Sequence, residues 1–337
     1  MSAHTFLVTG AHGFIGSHLV EHLLRQGHRV RGLVSPWGDL GNLNAVLESD
    51  RLEIVRGDIA DGEQLQGVTE GVDVVVHAAA LARDWGPLAP FLRTNVEGTA
   101  NLLEEAQAGE RPRFVLISSV AVHRYNGFVN ASPRTTPRDA TSPAYALSKI
   151  GAEQLVESYP GEAVIVRPGL WPFGSRDPQL ARVVAALRTG RLPLVNGGKA
   201  VLNTAFVLNL VAGIELAALT PGIAGRSYVI ADEGAPTWRE VLGELAGLVG
   251  GAVGYSLPDW LARGAGAGVE GLFRFFATDS QPPLTAYQGR LMARDVHFDI
   301  SHAREELGYR PAYGWREGLA WSLRNDVQLS RWLRDSE

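Results

Sequence analysis

A chain of 337 residues, 45% hydrophobic and 20% charged, is long enough for one large or two intimately joined domains, and it has no apolar run of the length an integral membrane segment needs. A formal charge of -5 and a pI near 6.0 argue against nucleic acid or an anionic membrane as the main partner. The absence of cysteine excludes a disulfide, a thiolate nucleophile and a thiolate-bound metal and fits a cytoplasmic protein, while Phe6 to Thr9 is too short for a secretory signal.

In chain order, β-like runs at Thr5 to Thr9, Arg29 to Val34, Leu52 to Arg56, Asp73 to His77, Arg113 to Ser118 and Ala163 to Arg167 alternate with amphipathic segments. Helices are expected near Phe14 to Gln26, Gly62 to Val68, Leu88 to Ala108 and Pro143 to Ser158. This alternation predicts an α/β fold, a doubly wound parallel Rossmann sheet over residues 1–168, with its ligand beyond the carboxyl ends of the strands. Past residue 168 the rhythm breaks at Pro168-Gly169, Pro172-Phe173-Gly174, Asn196-Gly197-Gly198 and Gln281-Pro282-Pro283. A smaller, irregular α+β substrate-binding cap is expected from 169–200 and 232–294, with returns to the first domain near 201–231 and 295–310. The glycines at Gly264 to Gly268 read either as a lid hinge or as a plain loop.

The first strand runs into Gly10-Ala11-His12-Gly13-Phe14-Ile15-Gly16 and then a helix, an order that suits a pyrophosphate on backbone amides at a helix start. Only two lysines occur, Lys149 and Lys199, and the first stands four residues after Tyr145. On a helix the two share a face, where an ammonium favours the phenolate. Ser142 as cap and Pro143 at the first helical position would put Tyr145 in the first turn, at the positive end of the dipole. Such a tyrosine can exchange a proton near neutral pH.

Three glycines at positions 10, 13 and 16, Tyr145-x-x-x-Lys149, and the serine pair Ser118-Ser119 ending the fifth strand together resemble the extended short-chain dehydrogenase/reductase family, within the NAD-dependent epimerase/dehydratase superfamily. Gly57-Asp58, His77-Ala78-Ala79-Ala80, Asn95-Val96-Glu97-Gly98-Thr99, Arg167-Pro168-Gly169 and the tail from Asp299 to Pro311 extend the likeness over nearly the whole chain. Trp85-Gly86-Pro87, Gly190-Arg191-Leu192-Pro193-Leu194 and the apolar stretch Asp259 to Phe276 are similar to its 3β-hydroxysteroid dehydrogenase-like branch; that stretch reads as a lid over a greasy substrate or a segment resting on lipid.

The resemblance implies an NAD(P)(H)-dependent oxidoreductase with Ser119, Tyr145 and Lys149 as catalytic residues. It implies cofactor contacts at Gly10, His12, Gly13, Phe14, Ile15, Gly16, Ser35, Asp58, Ile59, Ala78, Ala79, Ala80, Asn95, Ser118, Pro168 and Gly169, besides Tyr145 and Lys149. Val34-Ser35-Pro36 lacks the acid that NAD-preferring members carry, which tips the choice slightly toward NADP(H), with Ser35 and Arg31 as phosphate partners. Trp85, His123, Trp171 and Phe173 suggest a substrate pocket with apolar walls, although Trp171 and Phe173 equally suit core packing. Ser118 reads equally as a strand terminus, whereas Asn95 reads first as a tie between loops, His12 as a tolerated variable position that could approach the phosphates, and His77 as a structural histidine.

The implied reaction is hydride transfer between nicotinamide and a ketone or secondary alcohol, probed best with bulky 3-keto and 3-hydroxy compounds. A nucleotide-sugar epimerase or dehydratase is the alternative, disfavoured because Asn203-Thr204-Ala205-Phe206-Val207 lacks the arginine those members carry. A non-catalytic nicotinamide-sensing regulator is a third, disfavoured by the retained Tyr-Lys pair. The partners expected are a small-molecule substrate, no nucleic acid and no metal, and a second copy of the chain. That homodimer would form through the helices at 88–108 and 143–158, whose Ala144, Ala146 and Ala152 allow close approach.

Overall fold

The computed structural model describes residues 3–83, 85–125, 127–139, 143–261 and 286–333. Ser142, the Gly264 to Gly268 glycines and most of the Asp259 to Phe276 stretch lie outside them. Six predicted strands form: β1 (Thr5–Thr9), β2 (Arg29–Val34), β3 (Leu52–Arg56), β4 (Val74–His77), β5 (Arg113–Ile117) and β6 (Ala163–Pro168). A seventh, β7 (Arg226–Ile230), comes from the returning segment. The order is β7-β6-β5-β4-β1-β2-β3, and every neighbouring pair is parallel. The order reverses beside β1, where Thr9 lies opposite Leu33 on one side and His77 on the other.

Side-chain alternation builds the two layers. Phe6 and Val8 face one apolar cluster, together with Val115, Ile117, Val164 and Val166, whereas Leu7, Phe114, Leu116 and Ile165 face a second one. Helix α1 (Phe14–Arg25) covers the first face. The second is covered by α2, which runs through Leu88–Phe91, a π turn at Leu92–Glu97 and Gly98–Ala108, and by α3 (Ala144–Glu157). Helices α4 (Pro178–Arg188), α5 (Val207–Leu219) and α6 (Trp238–Leu248) add Leu187, Leu210 and Val241 to the first cluster. That apolar core is thus continuous between the sheet and the second half of the chain.

Several local expectations change. The Gly62 to Val68 segment is a 3-10 turn at Gly62–Leu65, capped by Asp61, so no full helix links β3 to β4. Pro143 takes the N-cap position and α3 starts at Ala144, which still leaves Tyr145 in the first turn. Ala146 and Ala152 are buried inside this chain and serve its own packing, so they offer no face to a second copy. Among the described residues, no helix is long and apolar enough to cross a membrane, and no group of three or more His, Cys, Asp or Glu side chains could hold a metal ion.

Candidate active site

At the carboxyl edge of β1, Gly10 has φ +66, and a Cβ there would lie 2.8 Å from Ala79 Cα. A Cβ on Gly16 would lie 2.1 Å from Gly10 O, so the turn closes only with glycine at both places. The Ala79 amide donates to Thr9 Oγ1 at 3.1 Å, which brings the Ala78-Ala79-Ala80 turn under the glycines. No side chain caps α1, whose first-turn amides have no partner within the helix. His12 Nδ1 is buried without a partner. An uncapped helix start, a turn too tight for any Cβ and an orphaned imidazole nitrogen fit an anionic dinucleotide.

Farther along the edge, the loop after β2 is pinned by Arg56, whose Nη1 donates to the carbonyls of Ser35, Pro36 and Gly38 at 3.3, 3.1 and 3.2 Å. Burial and the Arg56 charge lower the His12 pKa, against the pull of Asp39. Arg31 is spent elsewhere, on Glu53 and on the carbonyls of Val68 and Glu70, so it is not the phosphate partner expected above. Arg56 is the arginine that lies against the loop after β2, and nothing local in the sequence distinguishes it from other arginines.

The remaining cofactor contacts divide. Asp58 is half-buried, with Oδ1 accepting from the Ala60 amide. Ile59 turns into the core, where a Cβ on Gly98 would lie 2.9 Å from its side chain. Asn95 is committed inside the protein, since its amide exchanges two bonds with the Leu81 backbone and donates to Ser148 Oγ at 2.8 Å. It ties the loop after β4 to α3, with both amide hydrogens taken. Pro168 and Gly169 are buried, and Gly169 is wedged between Asn203, Thr204 and Ala231. His77 is structural, between Thr9 Oγ1 at 2.8 Å and Thr99 Oγ1 at 3.0 Å, and burial, aided by the Lys149 charge, lowers its pKa to about 3.

Ser119, Tyr145 and Lys149, the three residues expected to react, lie on segments that meet where β5 ends against α3. Ser119 is half-buried and caps a 3-10 turn at Val120–Val122, its Oγ accepting from the Ala121 amide at 3.1 Å. Tyr145 is half-buried one turn before Lys149. Lys149 is 2% exposed, and its Nζ donates to Ile117 O at 2.7 Å. Burial lowers its pKa to about 8, with the Glu153 carboxylate opposing. Ser118, in contrast, donates its hydroxyl to Glu153 Oε1 at 2.6 Å and faces away from the edge.

Three of the four residues expected to line a pocket are buried within the protein. Trp171 and Phe173 lie at 2% and 0% exposure in a core of aromatic rings with Trp238 and Phe206, so neither lines an open cleft. A short parallel pairing of Trp171–Phe173 with Thr204–Phe206 turns both inward. His123 is buried too, its ring tilted against Phe298, with Nδ1 on the Thr136 carbonyl at 2.9 Å and Nε2 facing Arg167 Nη1 at 3.2 Å. Burial and the Arg167 charge lower its pKa to about 4, so the ring is neutral, protonated at Nδ1 and accepting at Nε2. Trp85 is half-buried and stays on the loop that borders the edge. Sequence reasoning overlooked Glu153, whose signal was available as a carboxylate one turn beyond Lys149 on the same helix face.

Comparison with known proteins agrees with this geometry. The NAD dependent epimerase/dehydratase family model matches residues 6–231. A 2-alkyl-3-oxoalkanoate reductase from Stenotrophomonas maltophilia is 31% identical over 93% of this chain and 96% of its own length. A 3 beta-hydroxysteroid dehydrogenase/Delta 5-->4-isomerase from Mycobacterium tuberculosis is 29% identical over 98% and 92%. Among solved structures, dTDP-glucose 4,6-dehydratase from Streptomyces venezuelae, with NAD and TYD bound, superposes with a TM-score of 0.77 at 28% identity, covering 95% of this chain and 96% of its own.

Proposed function

This chain belongs to the NAD dependent epimerase/dehydratase family and is an NAD(P)-dependent oxidoreductase of the extended short-chain type, and we propose that it interconverts the ketone and secondary alcohol of a bulky hydrophobic 3-keto/3-hydroxy compound. The observation that carries the chemistry is the buried Lys149 ammonium, fixed on the Ile117 carbonyl one helical turn from Tyr145. The substrate class is supported by the names of the two relatives, which share an oxygen function at position 3. Glycines 10, 13 and 16 and the start of α1 would hold the pyrophosphate of the dinucleotide, which when bound supplies or accepts the hydride.

In reduction, Tyr145 donates its phenolic proton to the substrate oxygen; in oxidation it takes that proton back. Ser119 donates a hydrogen bond to the same oxygen, where negative charge develops. Lys149 keeps two ammonium hydrogens beyond the one given to Ile117, enough to hold the nicotinamide ribose while its charge favours the phenolate. Trp85 and the 169–200 and 232–294 segments would contribute the substrate side, and a cytoplasmic homodimer is the assembly that goes with this reading. The sugar-nucleotide alternative is weaker because Asn203 and Thr204 are 1% exposed and the Asn203 amide is spent on the Phe298 backbone.

NADP(H) is the proposed cofactor, with Ser35 and Arg56 receiving the extra phosphate at the end of β2. Replacing Arg56 with alanine is expected to weaken NADPH binding about tenfold, roughly 1.4 kcal/mol, and NADH binding by less than about twofold. Protein-fluorescence quenching checks this, and equal weakening of both would assign Arg56 to the loop alone. The substrate class is tested by a panel of 3-keto and 3-hydroxy compounds, sterols and long-chain β-keto acids included, offered with each nicotinamide. Turnover within that panel is expected. Epimerisation of a UDP-sugar with no turnover in the panel would overturn the proposal.

A further inference from the structure

None of the chemical steps above uses the buried ion pair of Glu153 and Arg167, yet four segments of the site meet on it. Glu153 is fully buried on α3, one turn beyond Lys149. Its Oε1 accepts from Ser118 Oγ at 2.6 Å and Arg167 Nε at 2.8 Å, and its Oε2 from Arg167 Nη2 at 2.7 Å. Arg138 Nη1 lies 3.6 Å from the same carboxylate. On the far side Arg167 reaches His123, which is anchored to the Thr136 carbonyl. The helix bearing Tyr145 and Lys149, the ends of β5 and β6, and the loop that leaves Ser119 are therefore joined through one carboxylate. A buried pair of this kind is weak support for stability, since apolar replacements are often neutral. Its position against Lys149 is what calls for an explanation.

Resting on the assignment of Ser119, Tyr145 and Lys149 as the reactive trio, we propose that Glu153, held by Arg167, is a positioning residue. Its carboxylate is the counter-charge that keeps Lys149 an ammonium on the Ile117 carbonyl, and its bond to Ser118 sets the strand end from which Ser119 serves the substrate oxygen.

The charges around Lys149 are few among the described residues. Its own helix contributes Tyr145 and Glu153, β4 contributes His77, which burial keeps neutral, and β6 contributes Arg167, with Arg138 beyond Glu153. Burial alone would raise the Glu153 pKa, but the Arg167 hydrogen bonds and charge reverse this and hold the carboxyl below its usual range. Glu153 thus stays anionic wherever Lys149 titrates.

The composition makes the test direct, because Lys149 and the exposed Lys199 are the only lysines in the chain. In protein labelled with ¹⁵N/¹³C-lysine, the side-chain resonances of both can be followed against pH without any cofactor. Glu153→Gln is expected to lower the Lys149 midpoint by about one pH unit and leave Lys199 in place. The alkaline limb of ketone reduction should move down with it. Should Glu153→Gln fail to fold, Arg167→Met removes the cation and leaves the carboxylate, and the Lys149 midpoint is then expected to rise. An unmoved Lys149 midpoint in either folded variant overturns the proposal. The two assignments fail separately: turnover retained by Tyr145→Phe would refute the reactive trio, whereas an inactive Tyr145→Phe with an unmoved lysine titration would refute only the role of Glu153.

Discussion

Replacing Tyr145 with phenylalanine is expected to reduce turnover by about 10²- to 10⁴-fold, the range that a positioned general acid contributes. The hydroxyl is the only group removed, and the ring keeps its half-buried place in the first turn of α3. Cofactor binding should change little, because the glycine turn and the uncapped start of α1 lie on another element. The loss should therefore fall on kcat, with nicotinamide affinity measured by fluorescence unchanged. Near-normal turnover would remove Tyr145 from the reaction and leave the Tyr-Lys pair as a structural feature of α3.

The second large effect is a loss of stability in acid. His77, His18 and His123 are all nearly inaccessible, and burial lowers their pKa values to about 3, 4 and 4 respectively. His18 is further held by the Ser175 carbonyl at 3.0 Å, and His123 by Thr136 and Arg167. In the unfolded chain the same rings titrate near 6.5, so below that pH the unfolded state binds more protons and stability falls as pH falls. Their contribution is fully present above pH 6.5 and is lost progressively toward the folded values. At pH 4 each ring would have removed roughly 3 kcal/mol, at 1.36 kcal/mol per unit. Three such terms rival the whole stability of a typical protein, about 5–15 kcal/mol. Thermal melts between pH 7.5 and pH 4 should show the midpoint dropping steeply from about pH 6 downward, with proton uptake on unfolding. A flat profile to about pH 5 would mean that these rings are solvated or protonated in the folded state.

The features legible in the sequence were those carried by one element or one turn. Six of the seven sheet strands and three of the four expected helices followed from local periodicity, and a doubly wound parallel sheet followed from their alternation. The glycines at 10, 13 and 16 announced a turn because sterics at those residues are decided by their immediate backbone. Tyr145 and Lys149 could be placed on one face because helix geometry alone relates i to i+4.

What sequence reading missed depends on partners far along the chain. Trp171 and Phe173 looked like pocket walls by their position after β6, but their inward turn is set by pairing with Thr204–Phe206. Arg31 and Arg56 are alike as residues; only the sheet places Arg56 on the loop after β2 and Arg31 among the partners at Glu53, Val68 and Glu70. Ser118 and His123 seemed available to a ligand, yet their bonds are taken by Glu153, and by Thr136 and Arg167.

Six sheet strands, the glycine turn and the shared helix face of Tyr145 and Lys149 could be read locally, since each is settled by sterics and geometry within a few residues. Which polar side chains remain open to a ligand depends instead on contacts between distant segments. A hydrogen bond or a charge is spent on whatever the fold brings within about 3 Å, and that neighbour is seldom near in sequence.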